Sequence, residues 1–195
     1  MPDPYFTAAD LRFTTISECT AAELALLSLH VVTQYPRDGK KHPERSLEWL
    51  FSHGLPHLRT QDYNYQAPHQ IYIAFDTSER IVDVAGVVPD DRGVAEQLGL
   101  FKTDPYYFGF LGGHRVHHDL RGRGIGTLMV QHRIERVQDF VNNMLRAPAA
   151  VYAFLTNEIS ARLLSQAQFE NLGLKYIEDS EGEEYVYRRL IVPTA

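Results

Sequence analysis

Val116-His117-His118-Asp119-Leu120-Arg121-Gly122-Arg123-Gly124-Ile125-Gly126-Thr127 joins two segments of different period. Upstream, Tyr106 to Val116 is rich in strand formers and predicts a strand, with three glycines that mark a bulge or a close approach to the backbone. Downstream, Val130, Ile134, Val137, Val141 and Met144 step by three and four, which predicts a helix over about Gly124 to Leu145. The first N–H groups of such a helix have no intrahelical partner and carry a partial positive charge. Gly122, Gly124 and Gly126 let the chain bend tightly and an anion approach closely. Arg121 and Arg123 add charge at the rim. The stretch therefore reads as a pyrophosphate-sized anion site, against the plainer alternative of a glycine-rich turn without a ligand.

Three phosphate-loop patterns compete for it. A Walker loop needs a lysine before the Ser/Thr, and none precedes Thr127. A dinucleotide fingerprint needs GxGxxG, and Thr127 stands where the last glycine belongs. The pattern [RQ]xxGx[GA] is met by Arg121, Gly124 and Gly126. With Val116 at the strand end, the stretch resembles the signature V-x-P-x-x-R-G-x-G-[IL]-G of the GNAT superfamily of acyl-CoA-dependent N-acetyltransferases. The register holds throughout, and His118 stands where proline is common.

Outward from this turn, Leu11 to Ile16 alternates as a strand. Thr20 and Glu23 have capping-box spacing and start a helix over about Ala21 to Gln34. Pro43 suits a first helical position, ahead of a helix over Glu44 to Ser52. Gly54 to Pro68 reads as a loop. Gln70 to Phe75 and Arg80 to Val88 read as a hairpin around Asp76-Thr77-Ser78-Glu79. Pro89 to Pro105 is a connection. Ala150 to Leu155 reads as a buried strand and Asn157 to Leu172 as a helix stopped by Gly173. Lys175 to Glu178 and Tyr185 to Val192 close the chain as strands. Only the unit from Tyr106 to Leu155 requires a parallel crossover. The expectation is an α/β fold: a mixed, mostly antiparallel sheet of about seven strands flanked by helices, with one parallel pair, forming a single domain over residues 1–195. This order matches the GNAT family across nearly the whole chain.

The resemblance implies acetyl-CoA as acyl donor. Its pyrophosphate maps onto the backbone of Gly122, Arg123, Gly124, Ile125, Gly126 and Thr127, with Arg121 beside it. Its pantetheine arm maps onto the strand His114, Arg115 and Val116, which splays from the next parallel strand in the family. Asn157 falls where a family asparagine contacts the pantetheine, and a plain helix cap is the alternative. The family's tyrosine acid has no counterpart: reading forward from Asn157 places Leu164 there, and reading backward from Leu172-Gly173 places Phe169. The two registers differ by five residues, which implies extra length or a bulge in this helix. Phe169 packs either in the core or against the coenzyme. His114 is the one side chain in Phe108 to Val116 that titrates near neutral pH, a candidate base against a structural or solvent-facing histidine.

The 195 residues carry a net charge of −6, so no basic excess exists for a nucleic-acid backbone. Cys19 is the single cysteine, which excludes an intrachain disulfide and a thiolate zinc cage. Strand alternation sends His117 to the face opposite His114 and His118, so no metal is expected. The start of the chain lacks a signal-peptide pattern and no apolar run reaches bilayer length, which predicts a cytoplasmic protein with no membrane partner. Tyr35, Trp49, Phe51, Tyr63 and Tyr65 are either acceptor-pocket residues or core anchors. Tyr185, Tyr187 and Arg188 on the last strand are either proton donors or cross-strand packing. The implied acceptor is a primary amine of a small molecule or peptide, and homodimers occur in the family. The competing reading is a coenzyme A-binding module without catalysis.

Overall fold

The computed structural model describes residues 5–38, 42–55, 70–87, 107–108, 115–155, 158–177 and 182–194. Its contacts divide the chain into two compact units.

The first unit holds 1–86 and 113–129. Strand β1 (Leu11–Thr15) pairs antiparallel with β2 (Gln70–Asp76), in the sheet order β1-β2-β3-β5. Here β3 is Ile81–Val87 and β5 is Arg115–Val116. The β2–β3 turn is fixed by Asp76, whose Oδ1 accepts from the N–H of Ser78 and of Arg80 at 2.9 and 3.0 Å. Helix α1 (Ala21–Gln34) begins with the capping box: Glu23 Oε2 accepts from Thr20 N–H at 2.7 Å, and Thr20 Oγ1 from Glu23 N–H at 3.3 Å. Helix α2 (Pro43–Gly54) starts on its proline. Leu27 and Val31 of α1 and Leu50 of α2 bury against Ile71, Ile73 and Phe75. Each such side chain contributes about 1.5–3 kcal/mol by leaving water. Tyr35 belongs to this core, with Trp49 and Phe51 packed partly buried against it. Tyr63 and Tyr65 lie outside the described residues.

The second unit holds 87–112 and 130–195. Its sheet runs β4-β6-β8-β7. Strand β4 (Tyr107–Phe108) is parallel to β6 (Ala149–Leu155), with Tyr107 opposite Ala150. This is the parallel pair that the strand–helix–strand unit requires. Strand β8 (Gly182–Ile191) is antiparallel to both β6 and β7 (Glu170–Ile177). The described residues thus form two four-stranded sheets rather than one of about seven strands. Of the strand expected over 106–116, the pairs 107–108 and 115–116 are ladder residues, and 109–114 lie outside the described residues.

β7 and β8 begin earlier than expected, at Glu170 and Gly182, and two helix ends differ as well. Helix α3 (Ile125–Phe140) is regular for 16 residues, then widens into a π-turn over Val141–Leu145 that closes on Arg146 at φ 54°. Helix α4 (Glu158–Gln166) stops six residues before Leu172. Gln168 has φ 63°, Gln168 N–H donates to Ser165 O and Phe169 N–H to Leu164 O, both at 3.0 Å. That is a Schellman close, and the residues at its two ends, Leu164 and Phe169, are both buried. Gly173, at φ 87°, is no helix stop but lies at the β-bulge between β7 and β8.

Candidate functional site

The site is built from the end of β5 and the start of α3. Val116 is opposite Asp83 and Arg115 opposite Val84, while His117 N–H donates to Val82 O at 2.7 Å. In an antiparallel ladder, hydrogen-bonded and non-hydrogen-bonded pairs alternate. His117–Val82 is a bonded pair, so Val116 belongs to a non-bonded one. Its N–H and C=O therefore point away from β3, along the outer edge of this sheet. Arg121 Nε reaches that edge and donates to Val116 O at 3.4 Å.

The chain then makes one short turn, His118–Leu120, capped by His117 Nδ1, which accepts from Asp119 N–H at 3.3 Å. That bond requires a neutral imidazole. Burial, with Arg80 nearby, lowers the His117 pKa and keeps the ring neutral; Asp119 opposes the shift. Leu120 plugs into the interior at 4 % exposure. Gly122 and Gly124 follow at φ 77° and 85°, conformations that favour glycine. An added Cβ at Gly122 would meet nothing within 4 Å, so its requirement comes from the backbone rather than from space. Helix α3 starts at once: Leu128 N–H donates to Gly124 O at 3.1 Å. The N–H groups of Ile125, Gly126 and Thr127 are first-turn donors without an intrahelical carbonyl. Ile125 and Met129, at 1 % and 0 % exposure, anchor the turn from below.

Three neighbours that the sequence did not point to hold this turn. Phe6 N–H donates to Arg123 O at 3.0 Å, and the Arg123 guanidinium stacks 4.7 Å over the Phe6 ring. Gln34 Oε1 accepts from His118 N–H at 3.2 Å. Arg37 grips Asp119 with two bonds, Nη1 to Oδ2 at 3.1 Å and Nη2 to Oδ1 at 2.8 Å. This fork holds the Asp119 carboxyl below its usual range, against the opposing cost of desolvation. Gln34 and Arg37 are 84 and 82 residues away in sequence, a distance that local patterning cannot read.

The remaining candidates divide. Arg115 is in β5, its guanidinium 5.7 Å from the Tyr35 ring centroid. His114 and Asn157 lie outside the described residues. Phe169 is a core residue at 5 % exposure, one place beyond the α4 close. That close falls at Gln168-Phe169, five residues before Gly173-Leu174. Leu164 is 3 % exposed and cannot donate a proton. Tyr187 is buried and accepts from Asn171 Nδ2 at 3.2 Å, while Arg188 pairs with Glu170 at 2.9 Å. Tyr185 is half exposed. Burial raises the Cys19 thiol to about 11, so it is not a nucleophile at neutral pH. No group of His, Cys, Asp and Glu among the described residues is arranged to hold a metal. No helix among them is long and apolar enough to cross a membrane.

A strand edge running into a doubly left-handed glycine turn and a helix start places free backbone donors together in an α/β protein, an arrangement suited to an anion. The chain belongs to the GNAT acetyltransferase family: the model of the Acetyltransferase (GNAT) family matches residues 38–166. Similar folds occur in a GNAT-family acetyltransferase from Bordetella pertussis (15 % identity, 91 % of this chain and 95 % of that one, TM-score 0.58). A second is a phosphinothricin acetyltransferase from Sinorhizobium meliloti in complex with AcCoA (12 %, 94 % and 89 %, 0.57). A third is a ribosomal-protein-S5-alanine acetyltransferase from Vibrio fischeri (12 %, 96 % and 97 %, 0.58). At these identities the likeness shows the fold alone. No curated protein sequence matches the chain.

Proposed function

We propose that this protein moves an acetyl group from acetyl-CoA to a primary amine of a small molecule or peptide, by direct attack in a ternary complex, with residues 1–195 working as one domain. The observation that carries the reading is the continuous donor edge formed by Val116 and the turn after it. Val116 offers an outward N–H and C=O to an amide-bearing arm. The first-turn N–H groups of Ile125, Gly126 and Thr127 then meet the diphosphate, with Arg121 and Arg123 on either side of Gly122. Gly122 and Gly124 place no side chain of their own in that approach. These residues fit the coenzyme.

When bound, the coenzyme supplies the acyl group as a thioester. The chain's part is to position it and to stabilise charge. Because His117 N–H is taken by Val82, the Val116 N–H is the strand donor for an oxyanion. His114 is the proposed base and Asn157 a proposed contact to the arm. With Leu164 at the acid's place, water protonates the departing thiolate, and turnover falls by roughly 10²–10⁴-fold relative to a positioned acid. The neighbours' acceptors range from phosphinothricin to a ribosomal-protein alanine, so the acceptor is assigned only as an amine.

The buried Leu164 favours one competing reading, a coenzyme A-binding module without catalysis. Thiol release from acetyl-CoA across a panel of amines separates the two. Release that requires an added amine supports transfer. Coenzyme binding with no amine-dependent release supports the module. Absence of coenzyme binding removes both.

A further inference from the structure

The family signature has a proline at the third position of the stretch, and this chain has His118. A proline there would fix φ and offer no N–H. His118 leaves both loose, in the short turn that aims Arg121 and the two left-handed glycines. The structure restrains it from outside. Gln34, the last residue of α1, accepts the very N–H that a proline would lack, at 3.2 Å. Arg37, three residues on, clamps the next side chain, Asp119, through two bonds. The contact continues upstream: the His30 and His117 rings are 5.8 Å apart, and Arg115 reaches the Tyr35 ring. The C-terminal end of α1 is thus laid along Arg115 to Asp119.

We infer that Gln34 and Arg37 are positioning residues of the coenzyme turn, supplying through the N–H of His118 and the carboxylate of Asp119 the restraint that a proline would have built into the backbone. The inference rests on the coenzyme reading of that turn. Neither residue touches the reacting atoms. Their effect runs through the fraction of molecules whose turn is in the binding geometry. If loss of the clamp leaves that fraction near a tenth, the apparent coenzyme Kd rises about tenfold. Once coenzyme saturates the protein, the turn is held by its ligand and kcat is preserved. Two features favour a proline there: His118 is the first residue of its turn, and His117, at ψ 128°, is outside the α region that a following proline disfavours.

The test measures coenzyme A affinity by calorimetry and steady-state KM for acetyl-CoA. It compares wild type, Q34A/R37A, the same pair with H118P, and D119N. The expected result is a Kd and KM about tenfold higher in Q34A/R37A, with kcat within about twofold. Adding His118→Pro should bring Kd back to within about threefold of wild type. A merely structural role would not give that rescue. D119N breaks the fork from the turn side and should raise Kd in the same direction, which keeps the test decisive if Q34A/R37A does not fold. Unchanged Kd in a folded Q34A/R37A, or a folded triple variant as weak as the double, overturns the inference. Failure of wild type itself to bind coenzyme overturns the functional reading instead, before any variant is compared.

Discussion

Gly122 and Gly124 carry the requirement at the centre of the site, and it is conformational. At φ 77° and 85° an alanine is strained by roughly 1–2 kcal/mol. A Cβ at Gly124 would lie 3.6 Å from Tyr5 Cδ1, an ordinary contact, and at Gly122 it would meet nothing. Gly122→Ala and Gly124→Ala should therefore lose similar stability, about 1 kcal/mol each in urea unfolding, and both should weaken coenzyme binding. A Gly122→Ala protein of wild-type stability and affinity would show that the left-handed turn is not needed. Cys19 makes the opposite case. Its thiol, raised to about 11 chiefly by burial, holds little thiolate at pH 8. Disulfide-exchange labelling of the folded protein at that pH should be much slower than of the urea-unfolded chain. Cys19→Ala should retain transferase turnover.

At the scale of elements, helix α4 and the bulge after it form a reciprocal pair. Gln168 closes the helix at φ 63°, where glycine is the common residue. Gln168→Gly relieves the strained backbone, partly offset by the freer unfolded chain, for a net gain of about 0.5–1 kcal/mol. Gly173→Ala, at φ 87° in the bulge, should lose about 1 kcal/mol. Both are read as shifts in thermal midpoint, and a fall for Gln168→Gly would refute the strained cap. This pair also shows where sequence reading runs out. Thr20 with Glu23, Pro43 and Asp76 announce their elements because each satisfies backbone donors or fixes φ within a few residues. The glycine turn is legible for the same reason. The end of α4 is not: glutamine has no left-handed preference, so the nearest glycine, Gly173, takes the blame for a helix end five residues earlier. Leu164 and Phe169, the two residues that flank the close, are both buried, a tertiary effect. Gln34 and Arg37 are invisible for the related reason that their partners are far along the chain.

For the molecule as a whole, the histidines and the carboxylates set two separate pH windows. His132 on α3 has its pKa pushed down to about 4 by burial, with Arg136 and Arg133 adding in the same direction. His117 is lowered as well, and its Nδ1 must stay neutral to cap the turn. An imidazole whose folded pKa lies below its unfolded value near 6.5 takes up its proton more readily in the unfolded chain. Stability is then constant above about pH 6.5 and is lost as pH falls from there toward 4. The carboxyls of Glu23, Asp76 and Asp119 are also lowered, but their contribution persists above the usual carboxylate range and is lost only on further acidification. Urea midpoints should thus decline in two steps, the first between pH 6.5 and 4 and the second below it. His132→Gln removes the strongly lowered imidazole and should flatten the first step while leaving the second in place. Because His117 belongs to the coenzyme turn, the first step should be accompanied by weaker coenzyme binding in wild type and in His132→Gln alike. A coenzyme affinity that stays constant while the folded protein is acidified through the first step would separate the turn from the His117 cap.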